Sequence, residues 1–174
     1  MSGKSGRWTL FMQQATTALW DTLSELRNSF GLERRKPTIY RKYMFTLSTG
    51  HDRGRVQIKV SHTPHALVVL TLHGQPSYPD RVLLGDAAFD AAFVVRGGQA
   101  MVLEVMTLSV REAFMRCAQR CNKLQFRNQR FVLEGVDTRN PDELHIVLDH
   151  LVELIERLKH RQLHIMQTSG IPQQ

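Results

Sequence analysis

The spacing of apolar residues changes along the chain, and its first part has the spacing of a helix. Within residues 6–30, apolar side chains recur every three or four positions, as on one face of an amphipathic helix. That face consists of Trp8, Phe11, Met12, Ala15, Ala18, Leu19, Leu23, Leu26 and Phe30. Gly31 follows where helices commonly end, and Pro37 opposes further helix. The sequence therefore predicts an N-terminal amphipathic helix and a basic hinge at 32–38, and we take 1–37 as distinct from the domain that follows.

From Ile39 onwards, apolar and polar residues alternate, which is typical of strands with one buried face. In the first such segment, 39–47, the buried side carries Tyr43, Phe45 and Leu47. Helical spacing returns later, with a break near Thr107. Further elements are predicted as strands at 55–60, 66–72 and 89–96, a broken helical region at 100–121, and a hairpin with strands at 124–126 and 131–133.

The final element has the clearest helical signals. Asn140 is a favourable N-cap and Pro141 suits the first helical position. Apolar residues then recur with helical spacing at Leu144, Val147, Leu148, Leu151, Leu154, Ile155 and Leu158. The order of elements predicts an α+β fold with an N-terminal amphipathic helix, a mostly antiparallel sheet, a short middle helix, a hairpin and a long C-terminal helix. We expect one domain over 38–166 and a flexible tail over 167–174.

The positive charge is concentrated in the N-terminal third. The 174-residue chain has a formal net charge of +7. Residues 1–62 hold eleven bases and four acids, whereas the remainder holds twelve of each. Such asymmetry indicates an anionic partner, either nucleic acid, anionic lipid or an acidic protein, although a solvated basic face explains it equally well. The candidate anion-binding residues are Arg34, Arg35, Lys36, Lys42, Arg55 and Lys59.

Composition and motifs exclude several classes of protein. No segment approaches the roughly 20 apolar residues of a membrane-spanning helix, and the N-terminal apolar run is too short for a signal peptide. The two cysteines, Cys117 and Cys121, lie four residues apart on the apolar side of a predicted helix, which favours packing over a disulfide or a zinc site. We therefore expect a cytoplasmic protein, with a peripheral position at the membrane surface as the alternative.

Candidate catalytic groups are few, and each has a structural explanation. Glu156, His160 and His164 would share one helix face, as metal ligands can, but a solvated face explains them more simply. Asp86 and Asp90 form a carboxylate pair beside Gly85, at a position where Asp commonly closes a turn by accepting backbone N–H groups. Phosphate-binding and nucleophile motifs are lacking. We expect no catalytic residue, no metal and no small-molecule cofactor.

Two motifs carry a resemblance to a family. They are Gly85-Asp86-x-x-Phe89-Asp90-x-x-Phe93-Val94-Val95 and Met106-Thr107-Leu108-Ser109-Val110-Arg111. The chain resembles poorly characterised bacterial domains of unknown function that have a GDxxFDxxFxV…LTxxVR pattern. The resemblance covers residues 54–160, and Met106 departs from the pattern. It implies an α+β module, often tethered at membranes, without an established activity.

The leading hypothesis is a non-catalytic interaction or scaffold module of a larger bacterial assembly. Its N-terminal helix would bind another protein or a second copy of the chain, by pairing of apolar helix faces. The predicted partner-binding residues are Trp8, Phe11, Met12, Leu19, Leu23, Leu26 and Phe30. The alternative is a basic adaptor that binds nucleic acid or anionic lipid through residues 34–59. A metal-dependent enzyme is the least favoured hypothesis.

Overall fold

The computed structural model describes residues 36–48, 54–71 and 79–168. The predicted helix at 6–30, and the partner-binding residues on it, lie outside these residues. The described strands are β1 (Lys36–Tyr40), β2 (Tyr43–Ser48), β3 (Gly54–Lys59), β4 (Val68–Thr71), β5 (Phe93–Arg96), β6 (Lys123–Arg127) and β7 (Arg130–Val136). The described helices are α1 (Ala87–Ala92), α2 (Gln99–Val105), α3 (Leu108–Ala118) and α4 (Pro141–Thr168).

The strands form one antiparallel sheet, and the α+β class is confirmed. The seven strands lie in the order β1-β2-β3-β7-β6-β4-β5, and every neighbouring pair is antiparallel. One end of the order is β1, in which Pro37 has no backbone N–H to offer a further strand. At the other end, the backbone N–H of Val82 donates to the carbonyl of Val95 on β5 at 2.9 Å. Each outer strand of the sheet therefore has a feature that hinders pairing with a further strand.

The hydrophobic core lies between one face of the sheet and the helices. Six phenylalanine side chains are almost fully buried there: Phe45, Phe89, Phe93, Phe114, Phe126 and Phe131. The rings of Phe89 and Phe93 stack with centroids 4.7 Å apart, and Phe114 meets Phe93 edge-on at 5.9 Å. Aromatic pairs in these arrangements are favourable beyond the apolar area that they bury. Helix α1, strand β5 and helix α3 are thus joined through their aromatic residues.

The N-terminal part of the sheet differs from the prediction. A single strand at 39–47 is wrong, because Arg41 and Lys42 form a turn that separates β1 from β2. Arg41 adopts a left-handed φ of 53° there, so a basic residue occupies a position that glycine or asparagine usually takes. The predicted inward positions of Tyr43 and its alternate neighbours on β2 are confirmed. The last residues of the predicted hinge, 36–38, belong to β1.

The predicted strand at 89–96 is also wrong in its first half. Residues 87–92 form helix α1, and only Phe93–Arg96 is strand. The side chain of Asp86 accepts a hydrogen bond from the backbone N–H of Phe89 at 3.2 Å. A capping aspartate of this kind satisfies an N–H group that has no partner within the helix, and therefore favours helix over strand.

The long C-terminal helix is confirmed together with its predicted start. The side-chain oxygen of Asn140 accepts hydrogen bonds from the backbone N–H groups of Asp142 at 3.1 Å and Glu143 at 3.4 Å. Helix α4 continues to Thr168, and its predicted apolar face is buried against the rest of the core. The break near Thr107 is confirmed as well, since α2 ends at Val105 and α3 begins at Leu108.

Candidate functional site

The two acidic residues beside Gly85 have structural partners. Asp86 caps helix α1, and Asp90 accepts a hydrogen bond from the backbone N–H of Leu84 at 3.1 Å. Arg111 on α3 places its Nε atom 3.5 Å from Asp86 Oδ2 and donates to the Leu84 carbonyl at 3.4 Å. Both carboxylates therefore bind backbone N–H groups, as expected, but Asp86 does so as a helix cap and not at the entry to a strand. The two motifs that carry the family resemblance therefore contact each other through Arg111.

Neither cysteine has the properties of a nucleophile. Cys117 is fully buried, and burial raises the pKa of its thiol far above the usual value. Burial also raises the pKa of Cys121 to about 11. The Cys121 thiol donates to the carbonyl of Cys117 at 3.4 Å. Because the thiolate is the reactive form, both cysteines are protonated and unreactive near neutral pH.

A polar cleft lies beside Cys121. It has a volume of about 310 Å³ and is lined by Gln119, Arg120, Cys121, Asn122, Gly135, Asp137, Glu143 and Val147. Arg120 Nη1 contacts Glu143 Oε2 at 3.1 Å, so the base of the cleft is paired with one of its two acids. The volume is at the lower end of the range for ligand pockets, and its lining lacks the apolar character of most of them. The cleft gives no indication of a reaction.

The β1–β2 turn is joined to helix α4 by a cluster of polar contacts. At one position, Tyr40 donates its hydroxyl hydrogen to Asp149 Oδ1 at 2.8 Å, and Arg41 contacts the same oxygen at 2.6 Å. Seven residues further along the helix, Glu156 accepts from the Tyr43 hydroxyl at 2.5 Å. Seven residues make two helical turns, so both acids lie on the same side of α4.

These contacts shift the pKa values of the groups involved. Burial, reinforced by the hydrogen bond to Asp149, raises the pKa of Tyr40 to about 12. Burial and Glu156 likewise raise the pKa of Tyr43. Hydrogen bonds from Lys42 and Tyr43 lower the pKa of Glu156. Near neutral pH the tyrosines are therefore neutral donors, whereas Glu156 is an ionised acceptor.

The three residues considered as metal ligands do not form a metal site. Glu156 is engaged by Tyr43 and by Lys42, whose Nζ atom lies 2.8 Å from Glu156 Oε1. His160 and His164 are exposed near the end of α4. Across 36–48, 54–71 and 79–168, no group of three or more His, Cys, Asp or Glu side chains could hold a metal ion.

The predicted anion-binding residues do not form one patch. Lys42 reaches the helical side of the sheet, where it pairs with Glu156. Arg55 and Lys59 alternate with the buried residues of β3 and therefore point to the opposite face. Arg55 Nε lies 3.6 Å from Glu134, whereas Lys59 is exposed and has no ion pair within the described part of the chain. Arg34, Arg35 and the Lys36 side chain lie outside the described residues.

Lys59 belongs instead to a row that sequence reasoning missed. Strand register places Ile39 opposite Met44, Lys59 opposite Arg130, and Arg130 opposite Arg127. Continuing the β2–β3 register by two residues from the pair of Thr46 and Gln57 brings Met44 opposite Lys59. We call these five residues the rim row, because they lie beside the β1–β2 and β6–β7 turns. Directly opposed residues of an antiparallel pair point to the same face.

The rim row is exposed and carries uncompensated positive charge. Ile39 and Met44 are 69% and 65% exposed, and the three basic residues are exposed as well. Neither Arg127 nor Arg130 forms an ion pair with any residue in the described ranges.

The next row on this face contains the uncharged residues Gln57, Val132 and Gln125, in register with one another. Glu134 lies one row further, between Arg55 at 3.6 Å and Lys123 at 3.4 Å.

The described residues form an α+β fold, in which one seven-stranded antiparallel sheet has helices on one face. Among solved structures, the chain is similar to the crystal structure of the mycobacterial trehalose monomycolate transport factor A, TtfA. The TM-score is 0.55 at 13% sequence identity, over 80% of this chain and 83% of that chain. This likeness shows a shared fold.

The sequence itself has no comparable match. No protein-family model matches it, and neither does any curated protein. Among the described helices, none has the length and apolar character needed to cross a membrane.

Proposed function

We propose that the chain is a non-catalytic interaction module that acts within a larger assembly. The observation that supports this proposal is the difference between the two faces of the sheet. On the helical side, the carboxylates considered as candidate catalytic or metal-binding groups have intramolecular partners. Asp86 caps a helix, and Glu156 binds Lys42 and Tyr43. On the other face, Ile39 and Met44 are exposed to solvent. Such a distribution suits binding better than catalysis.

Two similarities support an accessory role. The structural neighbour is a transport factor by its name, which is compatible with a protein that assists others. The chain also resembles bacterial domains without an established activity. Here the residues that carry that resemblance stabilise the fold, since Arg111 contacts Asp86 and Phe89 stacks on Phe93. A structural role for these motifs agrees with a non-enzymatic module.

The N-terminal helix is the proposed partner-binding element. Its apolar face would include Trp8, Phe11 and Leu19, and an isolated helix with such a face would expose a large apolar patch. Burying a side chain of this kind is worth roughly 1.5–3 kcal/mol relative to full exposure. Another protein or a second copy of the chain would supply the covering surface, as in the docking of an amphipathic helix into an apolar groove.

The test replaces two residues of that face in the full chain. We expect Trp8→Ala combined with Leu19→Asp to abolish assembly, measured as mass by light scattering and as co-purification, while thermal unfolding stays cooperative. Gln13→Ala combined with Thr17→Asp makes similar changes on the polar side of the predicted helix and should leave assembly intact. If the first double variant loses cooperative unfolding, the helix belongs to the core of its own domain, and the proposal fails.

A further inference from the structure

The rim row combines two kinds of side chain that favour the same type of surface. Ile39 and Met44 form an apolar pair at one end, and Lys59, Arg130 and Arg127 form a basic group at the other. Neighbouring strands lie about 4.8 Å apart, so five strands make a row about 19 Å long. The row is therefore an elongated strip, and an elongated strip suits an extended surface better than a small molecule.

Among the residues that the structure describes, the charge next to the basic group has one sign. The acids that contact the β1–β2 turn, Asp149 and Glu156, lie on the helical side of the sheet. Glu134 shares the open face but is already engaged by two bases, Arg55 and Lys123. The segments 37–48, 59–66 and 127–133, which contain the row and its neighbours, include no Asp or Glu. An anionic surface would thus meet no repulsion from these segments.

We infer that the rim row docks this protein onto an anionic membrane, with the bases at phospholipid headgroups and the apolar pair inserted between them. Proteins bind membrane interfaces through buried apolar area together with attraction to anionic lipids. Lys and Arg can extend their charged ends into the headgroups while their aliphatic stems cover apolar surface. The rim row supplies both contributions on one face.

The side chains of the row favour lipid over nucleic acid. Proteins bind single-stranded nucleic acid through basic side chains together with aromatic side chains on which the nucleobases stack. The rim row has no aromatic residue, and Tyr40 and Tyr43, which flank the turn, point to the opposite face and pack on α4. Exposed Ile39 and Met44 would gain little from a phosphate backbone, whereas the interfacial region of a membrane would bury them.

The experiment measures binding of the full chain to vesicles. Phosphatidylcholine vesicles with about one third phosphatidylglycerol are compared with pure phosphatidylcholine vesicles, since each Lys or Arg near an anionic surface contributes roughly a fivefold gain in affinity. We expect binding to the anionic vesicles only, weakening as salt rises from about 50 to 200 mM. Arg130→Gln should lower the affinity about fivefold, and Lys59→Gln, Arg127→Gln and Arg130→Gln together about a hundredfold.

Matched variants distinguish binding through the rim row from nonspecific effects of net charge and of exposed apolar residues. Arg139→Gln removes one exposed base beyond the other end of β7, and should change the affinity less than twofold if the row is the site. Ile39→Thr with Met44→Thr keeps good strand formers and should weaken binding about tenfold or more, at high salt as well as low. Leu103→Ser, at an exposed residue of α2, serves as the apolar control.

Several results would overturn the inference. Equal binding to neutral and anionic vesicles would do so, as would anionic binding that the row variants leave unchanged while their thermal unfolding matches the wild type. Salt-sensitive binding to a single-stranded oligonucleotide without vesicle binding would assign the row to nucleic acid. The inference does not depend on the N-terminal helix, so Trp8→Ala with Leu19→Asp should still bind vesicles. Loss of vesicle binding in that variant alone would move the membrane contact to the helix.

Discussion

The hydroxyl of Tyr43 lies 2.5 Å from the carboxylate of Glu156, and this bond joins the first hairpin to the C-terminal helix across 113 residues of sequence. Lys42 approaches the same carboxylate, and Lys159 lies 4.8 Å from the centre of the Tyr43 ring. The contact therefore combines a hydrogen bond, an ion pair and a cation–π interaction. It fixes the turn of the hairpin relative to the helical layer.

The Glu156 contact should make the stability of the fold depend on pH in the acidic range. The pKa of Glu156 is lowered in the folded protein, so its contribution is present above the usual value of 4.5 and is lost as pH falls through the folded value. We expect the free energy of unfolding in urea to decline below about pH 4.5. Glu156→Gln should show a shallower decline. Equal slopes for wild type and variant would contradict the assigned role.

Removing only the Tyr43 hydroxyl tests the same contact from the other side. Tyr43→Phe keeps the ring and its packing but leaves Glu156 with one donor fewer. We expect a loss of about 1–2 kcal/mol in the free energy of unfolding at neutral pH, since a hydrogen bond to a charged group is worth more than a neutral one. Tyr40→Phe, which removes one of the two donors to Asp149, is the natural comparison. A loss below the measurement error in both variants would show that the turn is not held by these bonds.

The hydroxyls of Tyr40 and Tyr43 should ionise at a higher pH than an ordinary tyrosine. Burial and its hydrogen bond raise the pKa of Tyr40 to about 12, and burial and Glu156 raise that of Tyr43 above its usual value of 10.0. A group whose pKa is raised stabilises the fold below the unfolded value and loses that contribution as pH rises through the folded value. We therefore expect the ultraviolet absorbance of tyrosinate from these two residues to appear well above pH 10.0, with alkaline loss of stability following it. Tyr40→Phe and Tyr43→Phe should each remove part of the late absorbance.

The contact between Asp86 and Arg111 should couple the two motifs energetically. Asp86→Ala removes a helix cap and an ion-pair partner, so we expect a loss of about 1–2 kcal/mol. A double-mutant cycle with Arg111→Met should give a coupling energy of about 0.5–1 kcal/mol. Asp142→Ala, at an exposed position in the first turn of α4, is expected to cost less than about 0.5 kcal/mol. Strictly additive effects of Asp86→Ala and Arg111→Met would contradict the contact.

Two glycines allow conformational strain to be separated from crowding. Gly85 and Gly135 both have left-handed φ values, 73° and 79°. A Cβ atom at Gly85 would meet nothing within 4 Å, whereas one at Gly135 would lie 2.6 Å from Cγ of Asn122. We expect Gly85→Ala to cost about 1–2 kcal/mol from strain alone, and Gly135→Ala to cost about 1–3 kcal/mol more because of overpacking. Similar losses in urea unfolding would show that Asn122 moves aside freely.

Cysteine reactivity gives a further check on burial. The pKa of Cys121 is raised to about 11, and Cys117 is fully buried. Alkylation of Cys121 by iodoacetamide should therefore remain slow at neutral pH and accelerate towards pH 11, while Cys117 should react only when the protein unfolds. Mass spectrometry after partial labelling distinguishes the two positions. Rapid labelling of either residue at neutral pH would contradict the packing of α3.

Local signals predicted much of the fold. Helix α4 follows from an N-cap at Asn140 and a regular apolar face, both of which lie within the helix or next to it. The β6–β7 hairpin also follows from local alternation. By contrast, the β1–β2 turn has no Gly, Asn, Asp or Pro at its centre, and the contacts that stabilise Arg41 come from Asp149, far along the sequence. Local pattern could not reveal that turn.

The same distinction applies to the candidate site. The basic residue Lys59 was recognisable from composition, and the pairing of Arg127 with Arg130 follows from the short hairpin that contains them. Their alignment with Lys59 depends on the pairing of β3 with β7, which are about 70 residues apart in sequence. The ion pair between Lys42 and Glu156 is similarly non-local. Sequence spacing alone therefore predicts Lys42 as part of the site, although it points to the opposite face. It does not identify Arg127 and Arg130, which belong to the rim row.

The two modified edges of the sheet limit the ways in which this protein can polymerise. An open strand edge offers a template of unpaired N–H and C=O groups for another chain. Here Pro37 removes a donor from one outer strand, and the 2.9 Å bond from Val82 to Val95 occupies part of the other. Growth of an extended intermolecular sheet is disfavoured at both ends. The molecule can thus expose the rim row to a partner while the outer strands of its sheet disfavour fibre formation.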